Sequence, residues 1–181
     1  CSMMNKDPEI MFGGFMGHGG YGHTVDYLDL QKYYVGEVSE HKFKENEFVV
    51  IGAGYPELRQ KIYDELKARN IRFFTIHLGL PFKESVVVGE ANIFVSSFEP
   101  SCNIKIGNNN VFNGDVIVGH DCEIGDCNFF GPRSQVLGGV KVGDFNQIGA
   151  NAILLPNFKI GNNNKIAPLS AVYKGCRDNS Y

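Results

Sequence analysis

Two adjacent residues, His120 and Asp121, have the types of side chain that catalyse proton transfer. A histidine oriented by a carboxylate can accept a proton near pH 7. Transfer of an acyl group from a thioester to a hydroxyl or an amine requires such a base, and it also requires hydrogen-bond donors for the oxyanion. The backbone N–H groups of Gly138 and Gly139, one repeat later, are candidates for these donors. The pair therefore indicates acyl transfer as a candidate chemistry.

The same two residues also have structural interpretations. Because His120 and Asp121 are neighbours in the sequence, a hydrogen bond between their side chains requires a bend in the chain. Asp121 is also a residue type favoured in turns, and His120 could be a solvated histidine at a corner. The sequence leaves both interpretations open.

A second candidate site is the segment from Gly17 to Gly22, which has the spacing G-x-G-x-x-G. Glycines allow a close approach to phosphate, and the helix expected over residues 24–31 would offer free N–H groups. Glu37 stands only loosely where a dinucleotide fold has an acidic residue, and residues 36–46 are polar and short. We therefore expect this segment to bind a sugar nucleotide through Gly17, His18, Gly19 and Gly22 rather than a redox cofactor. A glycine-rich turn without a ligand is the alternative.

The elements that would position this loop form an alternating pattern before residue 80. Apolar runs at residues 10–16, 48–51 and 71–76 predict strands, and residues 24–31 and 56–69 predict helices. The order predicts a small βαβαβ unit with a parallel sheet. We expect residues 8–80 to form a truncated Rossmann-like domain that binds a sugar nucleotide.

A six-residue repeat occupies the rest of the chain and contains the His-Asp pair. An aliphatic residue followed by Gly recurs at every third hexapeptide, and the six-residue frame between these pairs is apolar except at Pro100. This period fits neither a helix nor a simple strand and is typical of a left-handed parallel β-helix, a fold used mostly by acyltransferases. We expect about five coils within residues 88–177, in a domain covering residues 81–181. The aliphatic residues that mark successive coils are Val88, Ile106, Ile124, Val142 and Ile160.

Composition excludes several other classes of function. A net charge of −3 and a pI of about 6.0 give no electrostatic reason to expect nucleic acid or an anionic membrane as partner. There is no apolar run of membrane-spanning length and no signal-peptide pattern, so we expect a cytoplasmic location. The five cysteines match no zinc spacing, and His120 is the one histidine inside the repeat, so we expect no metal.

Several motifs together resemble one family of bacterial enzymes. They are the glycine-rich start from Phe15 to Gly22, Ile51-Gly52 with Leu58-Arg59, Ile76-His77, Asn113, His120-Asp121-Cys122 with Ile124-Gly125-Asp126, Pro132, and Gly138-Gly139-Val140. The chain from about residue 10 onward resembles the hexapeptide-repeat sugar acetyltransferases of surface glycans. These are the NeuD/PglD-like sialic acid O-acetyltransferases and UDP-amino-sugar N-acetyltransferases.

The resemblance implies a homotrimer whose active sites lie between neighbouring β-helices, with acetyl-CoA as co-substrate along the groove. It implies His120 as general base, Asp121 as its partner and Asn113 as a contact to substrate or to the neighbouring subunit. Phe129, Gly138 and Gly139 are the expected acetyl-CoA contacts. The acceptor would be an amino or hydroxyl group of a nucleotide-linked or acidic sugar. The alternative is an inactive homologue that binds a sugar nucleotide or acts as a scaffold.

The sequence departs from the family pattern at four places, one of which is that it ends at Tyr181, before the Gly-x-Pro-Ala segment that usually closes over the coenzyme. Phe129 stands where the family usually has a second histidine, and Arg133 replaces a usual glycine. Gly36-Glu37-Val38 stands where an Asp-Asp pair usually contacts the nucleotide base. The sequence leaves open whether these departures mean a changed specificity or a lost activity, and it fixes neither the sugar nor N- against O-transfer.

Overall fold

The computed structural model describes residues 11–19, 31–77, 82–96, 98 and 100–180. The chain divides into two compact units, Cys1–Glu47 and Phe48–Tyr181. The boundary near residue 80, between a nucleotide-binding and an acyltransferase domain, stays a prediction. Among the described residues, no helix is long and apolar enough to cross a membrane.

The first unit contains a two-stranded parallel sheet. Strand β1 (Phe15–Gly17) pairs with strand β2 (Tyr34–Glu37), which follows a 3₁₀ helix at Gln31–Tyr33. The N–H of Val38 donates to the carbonyl of Gly17 (2.8 Å) and closes the pair. The strand predicted over residues 10–16 is thus observed at its C-terminal end, whereas the helix predicted over residues 24–31 falls almost entirely outside the described residues.

The second unit begins with a strand, a helix and a strand. Strand β3 (Phe48–Val49) pairs in parallel with β4 (Arg72–Phe73), and helix α1 (Pro56–Ala68) connects them. Pro56 suits the first turn because its missing N–H needs no partner there. The helix ends at Ala68. Asn70, just beyond it, has positive φ, and the N–H of Ile71 returns to the carbonyl of Leu66 (3.0 Å). The predicted helix at residues 56–69 is confirmed.

The predicted βαβαβ unit is not confirmed. A single parallel sheet was expected, but β1–β2 and β3–β4 are two separate sheets. Strand β2 was not expected, because it is only four residues long and includes Gly36 and Glu37. Strands of two to four residues leave little periodicity for the sequence to reveal.

The rest of the chain is a parallel β-solenoid with three faces. Its strands are β5 (Val86–Val88), β6 (Ile93–Phe94), β7 (Ile104–Ile106), β8 (Val111–Phe112), β9 (Ile117–Val118), β10 (Glu123–Ile124), β11 (Phe129–Phe130), β12 (Gln135–Val136), β13 (Lys141–Val142), β14 (Gln147–Ile148), β15 (Ile153–Leu154), β16 (Lys159–Ile160), β17 (Lys165–Ile166) and β18 (Ala171–Val172). The first face stacks β5, β7, β10, β13 and β16; the second stacks β6, β8, β11, β14 and β17; the third stacks β9, β12, β15 and β18.

The register confirms the hexapeptide repeat. Ile124 lies opposite Ile106 on one side and Val142 on the other, one coil away in each direction. The predicted inward residues form the core, and Phe94, Phe130 and Val136 are fully buried. Isolated bridges from Ile76 and Cys176 add a sixth layer to the second and first faces, so the predicted count of five coils is too small there. The left-handed sense of the coil stays a prediction.

The corners of the solenoid have left-handed backbone at a constant position. Positive φ occurs three residues after the inward position, as at Asn109 (58°), Asp121 (58°) and Asn163 (55°). The glycines after the inward residues allow adjacent coils to stack closely. A Cβ on Gly119, for example, would lie 2.7 Å from the backbone nitrogen of Gly138 in the next coil.

One buried cation connects α1 to the solenoid. Arg59 is 1% exposed, and all its hydrogen bonds go to oxygen atoms. Its guanidinium donates to the carbonyls of Ile51, Ala53 (3.0 Å) and Ala91 (3.0 Å), and to the carbonyl (3.1 Å) and side-chain oxygen (2.8 Å) of Asn109. Burial lowers its pKa to about 10, so Arg59 stays charged at neutral pH. The helix and the loop before it are therefore fixed to two solenoid corners.

Candidate active site at the His120 corner

His120 lies at the corner between the third and first faces, between β9 and β10. Its Nδ1 is 2.6 Å from Oδ2 of Asp121, and both side chains are exposed. The bend that this contact needs is supplied by Asp121 itself, whose φ is 58°. Asp121 is therefore a turn residue and is also the hydrogen-bond partner of His120, whereas a catalytic role for the pair stays a prediction.

A third residue, Asn103, completes the hydrogen bonding of the carboxylate. Its Nδ2 donates to Oδ1 of Asp121 (3.1 Å) from the equivalent corner one coil earlier. The hydrogen bond from His120 and then that from Asn103 lower the pKa of Asp121. A carboxylate at Oδ2 keeps the proton of His120 on Nδ1, which leaves Nε2 as the basic nitrogen. Our sequence analysis missed Asn103, although counting one coil back from Asp121 identifies it.

The imidazole lies against Gly138, one coil later. A Cβ on Gly138 would be 2.7 Å from Nε2 and 2.8 Å from Cε1 of His120, so only glycine leaves room for the ring. The two expected oxyanion donors differ. The N–H of Gly139 already donates to the carbonyl of His120 (2.8 Å), whereas that of Gly138 has no acceptor among the described residues. Of the two expected donors, only Gly138 therefore remains a candidate.

Phe129 is not near His120 in the same chain. It lies on β11, on the second face, whereas the His120 corner joins the other two faces. Its ring lies beside Gly54, in the segment before α1, where a Cβ would be 3.8 Å from the ring. Asn113 is at yet another corner, after β8, where its Oδ1 accepts the N–H of Gly114 (2.8 Å). A single chain does not assemble the predicted site.

Arg133 lies exposed at the corner between β11 and β12, with a φ of 57°. This left-handed conformation accounts for the glycine that the family usually has there, because glycine adopts it at the lowest cost. The guanidinium belongs to the corner between the second and third faces rather than to the His120 corner.

The glycine-rich loop is described only at its start. Gly17 is buried at the end of β1, and a Cβ there would collide with the carboxylate of Glu37 and lie 3.1 Å from the hydroxyl of Tyr34. The Tyr34 hydroxyl donates to Oε1 of Glu37 (2.8 Å), and this contact raises the pKa of Tyr34. Glu37 therefore stands at a strand end opposite Gly17, closer than the sequence suggested. His18 and Gly19 (φ 64°) follow, and Gly22 falls outside the described residues.

No group of three or more metal-ligating side chains occurs within the described ranges. Cys122 and Cys127 are buried, Cys102 is exposed, and all described cysteines are free thiols. Cys122 donates its S–H to the carbonyl of Leu137 (3.2 Å), and burial raises its pKa, so it behaves as a packed side chain.

Comparisons with known proteins bear on the repeat and on the fold. Residues 139–174 match the family model described as bacterial transferase hexapeptide (six repeats). No curated protein sequence matched. Among solved structures, a histidine mutant of perosamine N-acetyltransferase from Caulobacter crescentus, in complex with CoA and GDP-perosamine, is 22% identical with a TM-score of 0.68, covering 93% of this chain and 92% of that one. PerB from the same organism, with the same two ligands, is 28% identical with a TM-score of 0.62, covering 71% and 63%.

A third structure is the acetyltransferase domain of PglB from Neisseria gonorrhoeae in complex with acetyl coenzyme A. It is 16% identical with a TM-score of 0.67, and 90% of each chain is covered. These structures share the fold of this chain. The protein is thus a parallel β-solenoid built from the hexapeptide repeat of bacterial transferases. Its resemblance to the hexapeptide-repeat sugar acetyltransferases is confirmed by the repeat and by the identity of these neighbours.

Proposed function

We propose that this protein is an acetyl-CoA-dependent acetyltransferase that acetylates a nucleotide-linked sugar for surface-glycan synthesis. The observation that carries the proposal is the His120 corner, where a histidine held by Asp121 presents Nε2 against Gly138, whose N–H has no acceptor among the described residues. A base and an oxyanion donor are the two groups that acyl transfer from a thioester requires.

The reaction follows from these groups. Nε2 of His120 takes a proton from the acceptor amine or hydroxyl as that atom attacks the thioester carbonyl. Asp121 stabilises the imidazolium that forms, and the N–H of Gly138 donates to the oxyanion. When the intermediate collapses, the C–S bond breaks and the proton passes from His120 to the departing thiolate. The products are free CoA and an N- or O-acetylated sugar.

We infer that the working form is a homotrimer. In one chain, Phe129 and Asn113 lie away from His120, so a complete site needs these residues from a neighbouring copy. The solenoid also exposes apolar side chains, including Ile117 (54%) on the third face and Val87 (62%) on the first. Packing three solenoids side by side would bury such faces and bring the separate parts of the site together.

For the acceptor, we favour an amino group on a nucleotide sugar. PerB is bound to GDP-perosamine, and the perosamine enzyme is an N-acetyltransferase. In this chain, Gly17, His18 and Gly19 with Glu37 are the candidate nucleotide contacts, because Glu37 lies at the strand end beside the glycines. Nucleotide sugars and acetyl-CoA are cytoplasmic metabolites, so we place the reaction in the cytoplasm.

The direct test is a panel of nucleotide amino sugars, nucleotide sugars without an amino group, and free sialic acid, each with acetyl-CoA. Release of free thiol with one acceptor supports the proposal, and the acceptor identifies N- or O-transfer. If CoA binds but no acceptor yields thiol, the inactive sugar-nucleotide-binding homologue becomes the better interpretation.

A further inference from the structure

Arg133 has a side chain that the rest of the chain does not use. It lies exposed at the corner between the second and third faces, and its backbone has a φ of 57°. This left-handed conformation costs free energy for any residue with a Cβ, whereas glycine adopts it freely. Within the described part of the chain, the guanidinium forms no ion pair and no hydrogen bond. The stability of a single chain therefore gives no reason for an arginine at this corner.

The third face, which begins at this corner, presents uncharged side chains to the outside. They are Ile117, Gln135, Ile153 and Ala171. From β7 onward, the outward side chains of the first face are all charged, namely Lys105, Glu123, Lys141 and Lys159. The second face is partly covered by the chain itself, because Gly54 lies beside Phe129 and Ile76 forms a bridge to Ile93. The third face is therefore the one that a second copy can cover at the lowest cost, since burying a charge costs more than burying an uncharged group.

Covering the third face brings Arg133 of one copy to His120 of the next. The two residues lie at opposite edges of this face in one chain. In a trimer whose third faces point toward a common axis, each His120 edge therefore adjoins the Arg133 edge of a neighbouring copy. Rotation about this axis leaves heights unchanged, and Arg133 is 13 residues after His120 in a coil of 18 residues. Because stacked strands are about 4.8 Å apart, Arg133 stands about 3.5 Å further along the axis than His120, on the side of Gly138.

The acceptor is the remaining source of an anion at this position. The carboxylates that follow His120 in the chain are already occupied, since Asp121 accepts hydrogen bonds at both oxygens and Glu123 is paired with Lys141 (3.2 Å). The thioester of the donor is neutral, and the pantetheine arm separates it from the phosphates of the coenzyme. The phosphates of a nucleotide-linked acceptor are assigned above to the glycine-rich loop. A guanidinium beside the reacting carbonyl therefore faces the sugar ring.

We propose that Arg133 of the neighbouring copy binds a carboxylate on the sugar ring of the acceptor, so that the enzyme prefers acidic sugars. The inference rests on the proposed function and on the trimer. A guanidinium donates two parallel N–H bonds to a carboxylate, a geometry that neither an ammonium group nor a neutral hydroxyl reproduces. The bound carboxylate fixes the ring with its amino or hydroxyl group toward Nε2 of His120. Neutral sugars remain acceptors, but weaker ones.

The test compares two nucleotide-linked amino sugars that differ at one ring substituent, a carboxylate in an aminohexuronate and a hydroxymethyl group in the matching aminohexose. Arg133→Gly suits the left-handed backbone and removes the guanidinium. It should lower kcat/KM for the aminohexuronate by about 10- to 100-fold, the range for charge-assisted hydrogen bonds, with little change for the aminohexose. Arg133→Lys should restore part of the preference, because lysine keeps the charge without the fork. Asn151→Gly is the matched control at the same corner position one coil later (φ 56°), and it should change neither value.

The outcomes separate this inference from the proposed function. Equal losses for the two acceptors in Arg133→Gly, or a wild type without preference for the aminohexuronate, would overturn the assignment. A higher KM for acetyl-CoA with an unchanged acceptor preference would also overturn it, because the guanidinium would then serve the donor. A light-scattering mass of a single chain contradicts it too, since Arg133 and His120 are then never adjacent.

If the wild type releases no thiol with either acceptor, the proposed function is wrong for these sugars, and calorimetry with the same two acceptors decides the role of Arg133. Tighter binding of the aminohexuronate that Arg133→Gly abolishes supports the assignment. Equal binding of the two sugars by the wild type contradicts it, as does a preference that survives in Arg133→Gly.

Discussion

At the scale of single residues, the candidate site is a short chain of hydrogen bonds across adjacent coils. Asn103 holds Asp121, Asp121 holds His120, and His120 lies against Gly138. Each contact joins positions that the repeat makes neighbours, so the repeat itself provides the geometry. Substitutions can separate the roles of these residues, because Asn103 and Asp121 contribute hydrogen bonds, His120 the proposed base, and Gly138 the space for the ring.

We expect His120→Ala to lower kcat by about 10²–10⁴, the usual contribution of a general base, with the fold retained. Asp121→Asn should cost less, because Asp121 orients the imidazole and does not react. Steady-state kinetics and thermal unfolding of the two variants check this. If His120→Ala keeps more than half of the wild-type kcat, another residue is the base.

Gly138→Ala should displace the imidazole, since the added Cβ would lie 2.7 Å from Nε2. The φ of Gly138 is not positive, so the backbone tolerates alanine and the effect falls on the ring. A displacement of about 1 Å can cost about 10²-fold in kcat. Gly52→Ala is the control, because a Cβ at that position meets nothing within 4 Å. Equal kcat values for the two variants contradict the steric role of Gly138.

Asn103→Gly should raise the pKa of Asp121 toward its ordinary value. Glycine keeps the left-handed φ of 54°, so the change removes only the amide that donates to Oδ1. In the wild type, the lowered pKa keeps Asp121 charged down to that pKa as the solution is acidified. In Asn103→Gly the pKa is higher, so Asp121 becomes protonated at a higher pH. Carboxyl NMR titration measures the shift. Asn163→Gly, at an exposed corner with a φ of 55°, should leave it unchanged. No shift in Asn103→Gly would remove Asn103 from the site.

At the scale of elements, the solenoid could be predicted and the arrangement of the segment before it could not. The inward residue of each strand recurs every six positions, and burial forces it to be apolar in every coil, so the pattern survives short strands. The placement of Phe129 shows that a motif comparison must also count positions around the coil. His120 and Phe129 are separated by half a coil, so they lie on opposite sides of one chain.

Helix α1 illustrates a contact that no periodicity reveals. Its apolar stripe was predictable, but the buried Arg59 that fixes it to the corners at Ala91 and Asn109 was noticed only as part of a family motif. Arg59→Met should leave several buried carbonyls without donors and lower the free energy of unfolding by about 3 kcal/mol or more. Urea unfolding measures this. Lys61→Met on the exposed side of α1 is the control. Equal free energies of unfolding for the two variants would contradict the stabilising role of Arg59.

At the scale of the whole molecule, function depends on copies of the chain meeting correctly. We expect light scattering to give three times 20.1 kDa at micromolar concentration.

A mixing experiment tests whether sites are shared. Chains with His120→Ala lack the base, and chains with Asn113→Ala lack a residue that lies at a different corner. Each homotrimer should have little activity. After the two are unfolded and refolded together, mixed trimers should recover activity, because some sites then combine an intact His120 with an intact Asn113 from the neighbour. Activity that stays lost in mixed trimers contradicts a site that combines His120 of one copy with Asn113 of its neighbour. A light-scattering mass of a single chain also rules out sharing, because no neighbouring copy is then present to supply Asn113.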